Sequence, residues 1–364
     1  MFSSALVLFA ACGSDPVALD AGVADDAEAE YDAGVPSRPD AMPRADALPR
    51  PDVGFSDPTT LRAGVEVMPI VSTVNPAIPS SLGVYFEIHG TVTSTMPPLF
   101  IAARGPGTNS EYLPGPMGFI VPGRLVVYYD IRGSGKTSYG DGTSNSTITV
   151  AQHVADLTGL IDYVGTLPGI DTSHVDLLGH GYGALLAMHF ASEQPARVQK
   201  MALVNPFPID ILQNVSRQGE IESRIGSVDR DRLYQLTMRP ECWGNDEECF
   251  ILAWRILGRY HLCPTHRDLF AELTFTNGSF RNEFGYIPQD LRARSYDDRP
   301  LLTRVTAQTT VISGPCEPTP AQTALDYVTG IAGARHVILP DTGEFALVEA
   351  PAAFAQAVKH AFAR

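Results

Sequence analysis

The stretch from Val175 to Leu186 combines residue types that could take part in acyl transfer. A short apolar run ends at Gly179, glycines then alternate with His180 and Tyr182, and an Ala/Leu-rich helical pattern follows. This order predicts a strand, a sharp turn and a helix, with one side chain at the apex of the turn above the strand end. A serine at such an apex can attack a carbonyl carbon. Gly181 occupies the apex of this turn, the elbow (residues 179–183), so the turn forms without strain but carries no attacking oxygen.

The elements around the elbow follow from the periodicity of apolar residues. Runs rich in β-branched and aromatic residues predict strands at residues 65–71, 83–92, 98–103, 124–130, 201–205, 310–314 and 336–340. Apolar residues at helical spacing predict helices at residues 150–164, 321–328 and 351–362. Strands that alternate with helices indicate the α/β class, with a mostly parallel sheet covered by helices on both faces.

Residues 206–300 interrupt this alternation. Aromatic and charged residues mix there without strand patterns, and residues 250–257 have helical spacing. An insertion after the strand that follows the elbow helix would lie above the carboxyl edge of the sheet, where open α/β sheets bind their ligands. We therefore predict an inserted helical cap at 206–300, between core segments at 59–205 and 301–364.

The acidic charge of the chain is concentrated near its start. The formal net charge is −15, and residues 1–58 hold eleven Asp or Glu and three Arg, which gives −8. Residues 13–58 are rich in Asp, Ala and Pro and contain little that could be buried, so we predict a disordered tether. The sequence has no basic stripe, and we therefore expect no nucleic-acid partner.

The first twelve residues have the pattern of an export signal. A short apolar run ends in Ala10, Ala11 and Cys12, an order that resembles a bacterial lipobox, in which the cysteine carries the lipid. We therefore predict an exported, membrane-anchored bacterial lipoprotein, in the periplasm or at the cell surface, attached to the membrane through lipid at Cys12. A cleaved signal without lipid and a buried N-terminal helix are the alternatives.

Four further cysteines follow Cys12. Cys242 and Cys249 bracket a short acidic loop and are the favoured disulfide pair, because an exported chain meets an oxidising compartment. The sequence leaves the pairing of Cys263 and Cys316 open. No second closely spaced Cys/His pair completes a tetrahedral set, so we predict no metal site, and we predict no cofactor.

Three glycine-containing motifs appear in a fixed order. Gly105-Pro106-Gly107 follows one predicted strand, the sequence at 130–138 (DIRGSGKTS) follows the next, and the elbow comes third. With a cap after them, residues 61–364 resemble the α/β-hydrolase fold and, within it, the proline iminopeptidase group. That group carries H-G-G-P-G, D-x-R-G-x-G-x-S and G-x-S-x-G in these places, then an aspartate and a histidine after the last two strands.

The departures from that pattern fall on the chemistry. The family's serine attacks a carbonyl, its histidine takes the serine proton, and an acid orients the histidine. Gly181 stands at the serine position, Glu317 at the acid position and Glu344 at the histidine position. Ala103 and Arg104 replace the first two residues of H-G-G-P-G. The resemblance therefore implies a degenerate catalytic triad that lacks its nucleophile and its base.

The resemblance also assigns an oxyanion hole. The backbone N–H groups of Gly105 and Tyr182 occupy the family's positions and could bind a carbonyl or carboxylate oxygen. Glu317 and Glu344 could face each other, with a raised pKa on one of them or a cation between them. The rival interpretation turns these glutamates to solvent or to Arg104.

Three other residues are candidate replacements for the missing groups. His180 precedes the apex, where its side chain is expected to pack under the elbow. Nothing in the sequence directs His261 towards the apex. Cys316 adjoins Glu317 and is a less favoured thiolate nucleophile, because no base at a suitable spacing is visible.

These observations favour a non-catalytic function. We predict that the chain binds a small peptide-like or carbonyl ligand, or another surface protein. The alternative is an active or weakly active serine-type hydrolase or aminopeptidase that cleaves N-terminal proline peptides or esters, as the resemblance implies.

Overall fold

A computed structural model describes residues 60–71, 73, 80–92, 95–120, 122–137, 148–242, 247–273 and 281–363. The predicted export signal with Cys12, the predicted tether, Ser138 and the tip of the acidic loop at 243–246 lie outside these described residues. The predictions made for those segments stay predictions.

The core is an eight-stranded sheet. Its strands in chain order are β1 (Thr60–Ile70), β2 (Ser80–His89), β3 (Leu99–Ala102), β4 (Val126–Tyr129), β5 (Val175–His180), β6 (Val198–Val204), β7 (Gln308–Ser313) and β8 (Arg335–Ile338). They lie side by side in the order β1-β2-β4-β3-β5-β6-β7-β8. β2 pairs antiparallel with β1 and β4, and the other pairings are parallel. The predicted α/β class with a mostly parallel sheet is confirmed.

Helices cover both faces of this sheet. The α-helices of the described residues are α1 (Pro114–Met117), α2 (Val150–Gly165), α3 (Tyr182–Glu193), α4 (Ile211–Arg224), α5 (Ser227–Thr237), α6 (Glu247–Leu257), α7 (Arg281–Ala293), α8 (Arg299–Leu302), α9 (Ala321–Gly330), α10 (Ala346–Glu349) and α11 (Pro351–Phe362). Between β6 and β7, helices α4 to α8 are joined by 3₁₀ segments at Pro240–Cys242, Gly258–His261 and Pro264–Glu272. None of the described helices combines the length and apolarity that crossing a membrane requires.

The sheet separates two apolar layers. Successive side chains of a strand point to opposite faces, so Leu177 of β5 packs in one layer and Leu178 in the other. The first layer includes β1, β2, α2 and α3, and the second includes α1 and α11. β3, β4 and β5 are buried along their whole length, which explains their continuous apolar runs.

Two helices that matter for the site have side-chain caps. The Thr149 hydroxyl accepts a hydrogen bond from the Gln152 N–H at the start of α2, at 3.1 Å. The Asp210 carboxylate accepts from the Gln213 N–H at the start of α4, at 2.8 Å. Such caps satisfy N–H groups of the first turn that have no partner inside the helix, and they fix where the helix begins. The cap at Asp210 thereby positions Arg217, two turns along α4.

Candidate functional site

The elbow joins β5 to α3 as a sharp turn. β5 ends at His180, α3 begins at Tyr182, and Gly181 between them has φ 55° and ψ −118°. That φ lies in the left-handed region, which glycine adopts without strain. A Cβ atom on Gly183 would overlap the carbonyl oxygen of Ala102, so α3 approaches β3 closely only because residue 183 is glycine.

The motif that begins at Asp130 supports the neighbouring loop. Its carboxylate accepts hydrogen bonds from the backbone N–H and the hydroxyl of Ser110, both at 2.7 Å, and from the Lys136 N–H at 2.9 Å. A Cβ atom on Gly135 would overlap this carboxylate. The motif therefore holds the loop after β3 in place and has a structural role.

Side chains from two other loops fill the space at the elbow apex. A Cβ atom on Gly181 would lie 3.0 Å from both Cγ and the carbonyl oxygen of Arg104. It would lie 3.5 Å from Oε1 of Glu344. Arg104 follows β3 and Glu344 follows β8, so the loops of two strand ends meet above the elbow. A larger residue at the apex would have to displace Arg104.

Arg104 and Glu344 form a buried ion pair. The Arg104 Nε donates to the Glu344 Oε1 at 2.7 Å, and each side chain is only 4% exposed. The Arg104 guanidinium also lies over the Trp254 ring, 4.6 Å from the ring centroid. Because both charges are removed from water, losing one of them would leave the other without compensation.

Two residues of the helical segment between β6 and β7, called the cap from here on, join this ion pair. Arg217 places its Nη2 3.2 Å from the Glu344 Oε2, and the Nδ1 of His261 lies against the same oxygen. The backbone adds a further link, since the Glu344 N–H donates to the His261 carbonyl at 2.8 Å. Glu344 therefore connects the cap to the core.

The charge states of this network follow from burial and proximity. Burial alone would raise the pKa of Glu344, but the charges of Arg104 and Arg217 outweigh it and hold that pKa well below its usual range. Burial lowers the pKa of His261 to about 4, so its ring is neutral near pH 7. The tautomer with hydrogen on Nδ1 then donates to the ionised Glu344.

Glu317 lies beside this network and has a different charge state. The Asn205 side-chain amide donates to Glu317 Oε2 at 3.0 Å and to the Gly343 carbonyl at 3.1 Å. Burial raises the pKa of Glu317 to about 8; the hydrogen bond from Asn205 opposes this rise, and the charge of Glu344 adds to it. Glu317 therefore carries a proton near neutral pH.

These positions correct the hypothesis of a cation held between Glu317 and Glu344. One of the two pKa values is raised, but Glu344 turns to Arg104, which was the rival interpretation. Among the described residues, the groups of side chains close enough to hold a metal ion do not include either glutamate. The physical reason is that Arg104 already supplies the positive charge that Glu344 needs.

The oxyanion hole predicted at Gly105 and Tyr182 is not open. The Tyr182 N–H donates to the Arg104 carbonyl at 2.7 Å. This N–H belongs to the first turn of α3, where donors have no partner inside the helix, so the carbonyl takes the place that a substrate oxygen would have. The expectation of two free donors is wrong for Tyr182.

Comparison with known proteins identifies the family of this arrangement. Residues 88–357, more than half of the chain, match the model of the alpha/beta hydrolase family. The chain belongs to that family. A proline iminopeptidase of Levilactobacillus brevis is 24% identical to this chain over 283 residues, which cover 74% of this chain and 89% of the relative.

Two further comparisons show how far the likeness extends. The solved structure of a proline iminopeptidase-related protein from Thermus thermophilus has a TM-score of 0.57 at 23% identity, covering 83% of this chain and 98% of that one. A protein of Variovorax paradoxus named as a candidate carbamate hydrolase, RutD, is 27% identical over 122 residues. That match covers 33% of this chain and 41% of the relative, less than half of its length. The Levilactobacillus brevis match confirms the resemblance to the proline iminopeptidase group, and the solved structure shows the alpha/beta hydrolase fold.

In this chain, His180 packs under the elbow as predicted. Its Nε2 hydrogen donates to the Glu344 carbonyl at 2.7 Å, and its Nδ1 accepts from the Tyr112 hydroxyl at 2.7 Å. The same hydroxyl accepts from the Arg104 N–H at 2.9 Å. Burial lowers the pKa of His180 to about 4, so the ring is neutral. His180 therefore joins the backbones of the two loops that face the elbow.

Two disulfides are present in the described residues. The predicted pair Cys242–Cys249 is confirmed, with Cα atoms 5.5 Å apart. Cys263 pairs with Cys316, with Cα atoms 5.0 Å apart, and this bond links the segment between β6 and β7 to the loop of Glu317. In this state Cys316 has no free thiolate, so the hypothesis of a Cys316 nucleophile is wrong.

Sequence reasoning missed three side chains of the network, namely Arg217, Trp254 and His261. Their contacts depend on how the cap folds back over the sheet edge, and no local pattern encodes that path. One signal was available: Arg104 stands where the family has glycine, and a buried arginine requires a counter-charge.

Proposed function

We propose that this chain is a non-catalytic member of the alpha/beta hydrolase family that acts by binding a ligand. The observation that carries the proposal is the buried Arg104–Glu344 pair, which fills the space at the elbow apex. The family's serine and histidine act as a unit, so losing them costs about as much as losing the whole triad, on the order of 10⁶ in kcat. The residues found at those positions, Gly181 and Glu344, offer no attacking oxygen and no neutral base.

The charge balance of the site favours an anionic group. Arg104 and Arg217 carry two positive charges and Glu344 one negative charge, whereas Glu317 and His261 are neutral near pH 7 because burial shifts their pKa values to about 8 and about 4. The network therefore carries a net charge of about +1. Within the described residues, Arg217 forms hydrogen bonds only through Nη2, to Glu344, and 11% of its side chain is exposed. Its other N–H groups are suited to a carboxylate.

A peptide-like ligand with a carboxylate is the ligand class that this site favours. A neutral carbonyl fits less well, because the Tyr182 N–H already donates to the Arg104 carbonyl. A surface protein would have to bring a similar group, such as a chain terminus or an acidic side chain, to Arg217.

The first experiment asks whether the purified chain turns over a substrate. It is incubated with proline p-nitroanilide, with short-chain p-nitrophenyl esters and with a fluorophosphonate probe that labels activated serines. We expect no turnover above background and no labelling. Labelling of the wild-type chain, or turnover that Glu317→Gln abolishes, would overturn the proposal and favour the alternative, a hydrolase of N-terminal proline peptides or esters.

A reconstructed variant provides the positive control. The triple substitution R104G/G181S/E344H restores the family's residues at the loop, apex and base positions. It also removes the side chain that occupies the apex. Labelling of this variant, and not of the wild-type chain, would show that the probe reaches the site and that only the reagents are missing.

The second experiment tests the preference for an anion. N-acetylproline and its amide have the same shape and differ in charge, so their affinities are compared by calorimetry. We expect the acid to bind more tightly than the amide and Arg217→Gln to remove the difference. Equal affinities in the wild-type chain would contradict an anion site.

We also propose that the chain is exported and anchored as a bacterial lipoprotein. Support comes from the sequence Ala10-Ala11-Cys12 after an apolar run and from the acidic, proline-rich segment that follows it. Cells that express the chain are fed an alkyne fatty acid, and the label is compared between the wild-type chain and Cys12→Ser. Equal labelling would contradict attachment at Cys12.

A further inference from the structure

A cluster of metal-binding side chain types surrounds the Cys263–Cys316 disulfide, apart from the elbow. The ligand atoms of Cys263, His266 and Glu349 all lie within 4.8 Å of one another. The ligand atoms of Cys263, Cys316 and Asp341 do so as well. The His266 Nε2 is 3.4 Å from the Asp341 Oδ2, which connects the two groups. The two groups share Cys263, so an imidazole and two carboxylates lie around this disulfide.

Two residues of this cluster, His266 and Asp341, bear on whether it could hold a ligand. The Nδ1 of His266 is buried and has no hydrogen-bond partner among the described residues, and Glu349 Oε1 lies 3.8 Å from it, beyond hydrogen-bond range. Asp341 has φ 55°, a left-handed conformation that aspartate tolerates in turns, and it lies in the turn after β8. The orphaned nitrogen is therefore the feature that points to a ligand, because buried polar atoms in native structures usually have a partner.

We propose that Cys263, Cys316, His266 and Asp341 form a zinc site that replaces the disulfide when the chain is reduced. Two thiolates, one imidazole and one carboxylate are a ligand set that zinc accepts in tetrahedral sites. The site is independent of the proposed anion site, because it shares none of its side chains.

The exchange balances in electrons and protons. A dithiol reductant gives two electrons and two protons, the S–S bond breaks, and the reductant becomes a disulfide while Cys263 and Cys316 become thiols. Zn²⁺ then forms two Zn–S bonds and displaces the two thiol protons to solvent. Neutral His266 binds through a ring nitrogen, and Asp341 binds through its carboxylate.

The donor atoms within each group lie near the separations of a tetrahedral zinc site. Zinc lies about 2.3 Å from sulfur and about 2.0–2.2 Å from nitrogen and oxygen, so its ligands are separated by roughly 3.3–3.8 Å. The donors already lie within 4.8 Å of one another in each group. Reduction would let the two sulfurs separate, and side-chain rotations would then bring His266 and Asp341 to the same ion.

Glu349 fixes the backbone on both sides of the cluster. Its Oε1 accepts from the Cys263 N–H and its Oε2 from the Gly343 N–H, each at 2.8 Å. These bonds hold the segment of Cys263 and His266 against the loop of Asp341. The Glu349 carboxylate also stands ready to accept the free ring N–H of a zinc-bound His266, an arrangement that orients histidine ligands in metal sites.

A zinc ion here would preserve the link that the disulfide makes. Cys263 lies next to the cap segment that carries His261, and Cys316 precedes Glu317. In either redox state the same two residues would join the cap to the core beside the elbow network.

The test uses the full chain reduced with a phosphine under argon and titrated with Co²⁺ and then Zn²⁺. Co²⁺ in a tetrahedral thiolate site gives thiolate-to-cobalt charge-transfer absorption and intense d–d bands, which Zn²⁺ removes by displacement. We expect one equivalent to bind to the reduced chain and none to the oxidised chain. Circular dichroism of the reduced chain, with and without zinc, checks that it is folded.

Variants decide whether the named residues are the ligands. Cys263→Ser/Cys316→Ser should abolish the charge-transfer band, and His266→Ala or Asp341→Asn should weaken zinc binding by about 100-fold or more. The matched control Cys242→Ser/Cys249→Ser keeps the other pair of cysteines and should bind zinc like the wild-type chain.

Three outcomes would overturn the proposal. The first is a reduced wild-type chain without the charge-transfer band. The second is a zinc affinity that His266→Ala and Asp341→Asn leave unchanged. The third is a reduced chain that is unfolded and stays unfolded when zinc is added.

Discussion

The elbow and the two loops that face it are in contact, yet different forces fix them. In the elbow, backbone atoms of β3 leave no room for a Cβ atom at Gly183, so packing dictates the residue. In the facing loops, the Arg104–Glu344 pair at 2.7 Å sets the arrangement, so charge dictates the residues. The elbow keeps the shape that the family uses to present a serine, although Gly181 stands at its apex.

This difference shows that the shape of a site and its reagents can change independently. The turn depends on glycines and on β3, neither of which takes part in chemistry. The positions of the base and of the glycine loop hold an ion network that also contacts the cap. A match to the family therefore predicts the shape of the turn. The activity depends on the residues at the positions that Arg104, Gly181 and Glu344 occupy.

The largest effect is expected from a substitution that disturbs the packing of the elbow. Gly183→Val places a side chain where the Ala102 carbonyl oxygen lies, so we expect a loss of more than about 5 kcal/mol in the free energy of unfolding. The measurement is urea unfolding followed by circular dichroism.

Gly219→Ala is the matched control for that substitution. Gly219 is an exposed residue of α4, and a Cβ atom there would meet nothing within 4 Å. Alanine should raise the free energy of unfolding by about 0.5–1 kcal/mol because it has the higher helix propensity. Similar stability of the two variants would mean that packing does not fix the elbow.

The second-largest effect is expected from the ion network in the two facing loops. Glu344→Gln leaves Arg104 and Arg217 buried without a carboxylate, which should lower the free energy of unfolding by about 3–5 kcal/mol. Glu220→Gln is the control, because it removes one half of an exposed ion pair with Arg224, in which the Glu220 side chain is 49% exposed. It should change the free energy of unfolding by less than about 0.5 kcal/mol. Equal effects in urea unfolding would show that the buried network stabilises nothing.

A pH effect of intermediate size follows from Glu317. Its carboxyl keeps its proton to about pH 8 when folded, whereas the unfolded carboxyl releases it near the ordinary value of 4.5. Between these values the folded state binds the proton more tightly, so stability falls as pH rises, by as much as about 2–3 kcal/mol from pH 6 to pH 8. Glu317→Gln should flatten this slope in urea unfolding at the two pH values. An unchanged slope would place the titrating group elsewhere.

Glu344 gives the free energy of unfolding the opposite pH dependence, and it does so at low pH. Its pKa is held well below the usual range, so the stability it contributes is present above about pH 4.5 and is lost as pH falls further. Acid unfolding of Glu344→Gln should therefore show a weaker pH dependence than that of the wild-type chain.

The smallest effect is expected from Arg217. Arg217→Met removes the contact with Glu344 at 3.2 Å but leaves the Arg104 pair intact, so it should cost about 1–2 kcal/mol. A cost as large as that of Glu344→Gln would mean that the cap arginine, and not Arg104, is the main partner of the carboxylate.

The elements of the core could be predicted because their signals are local. α11 spans Pro351–Phe362, the same bounds as predicted, since proline fixes the first turn of the helix. The predicted strand ends were less accurate. β1 begins at Thr60, before the predicted start at residue 65, because its pairing with β2 sets its length. Pairing depends on residues distant in sequence, which a local pattern does not contain.

The site could be predicted in part. The order of the motifs gave the positions of Gly181, Glu317 and Glu344, and Arg104 as the partner of a glutamate was one of two open interpretations. The contact with Arg217 could not be foreseen, because it depends on where α4 crosses the sheet edge. Likewise, the motif identifies the Tyr182 N–H as an oxyanion-hole donor. It does not show that this N–H already donates to the Arg104 carbonyl.

The position of β1 has a consequence for how a mechanical load would enter the sheet. It is the outermost strand of the sheet and pairs with β2 from Thr60 opposite His89 to Ile70 opposite Ser80. A pull transmitted through the residues before Thr60 would reach this strand first and peel it from β2 one pair at a time. The elbow lies on β5, beyond β2, β4 and β3, so tension would be dissipated at the sheet margin before it disturbed the centre.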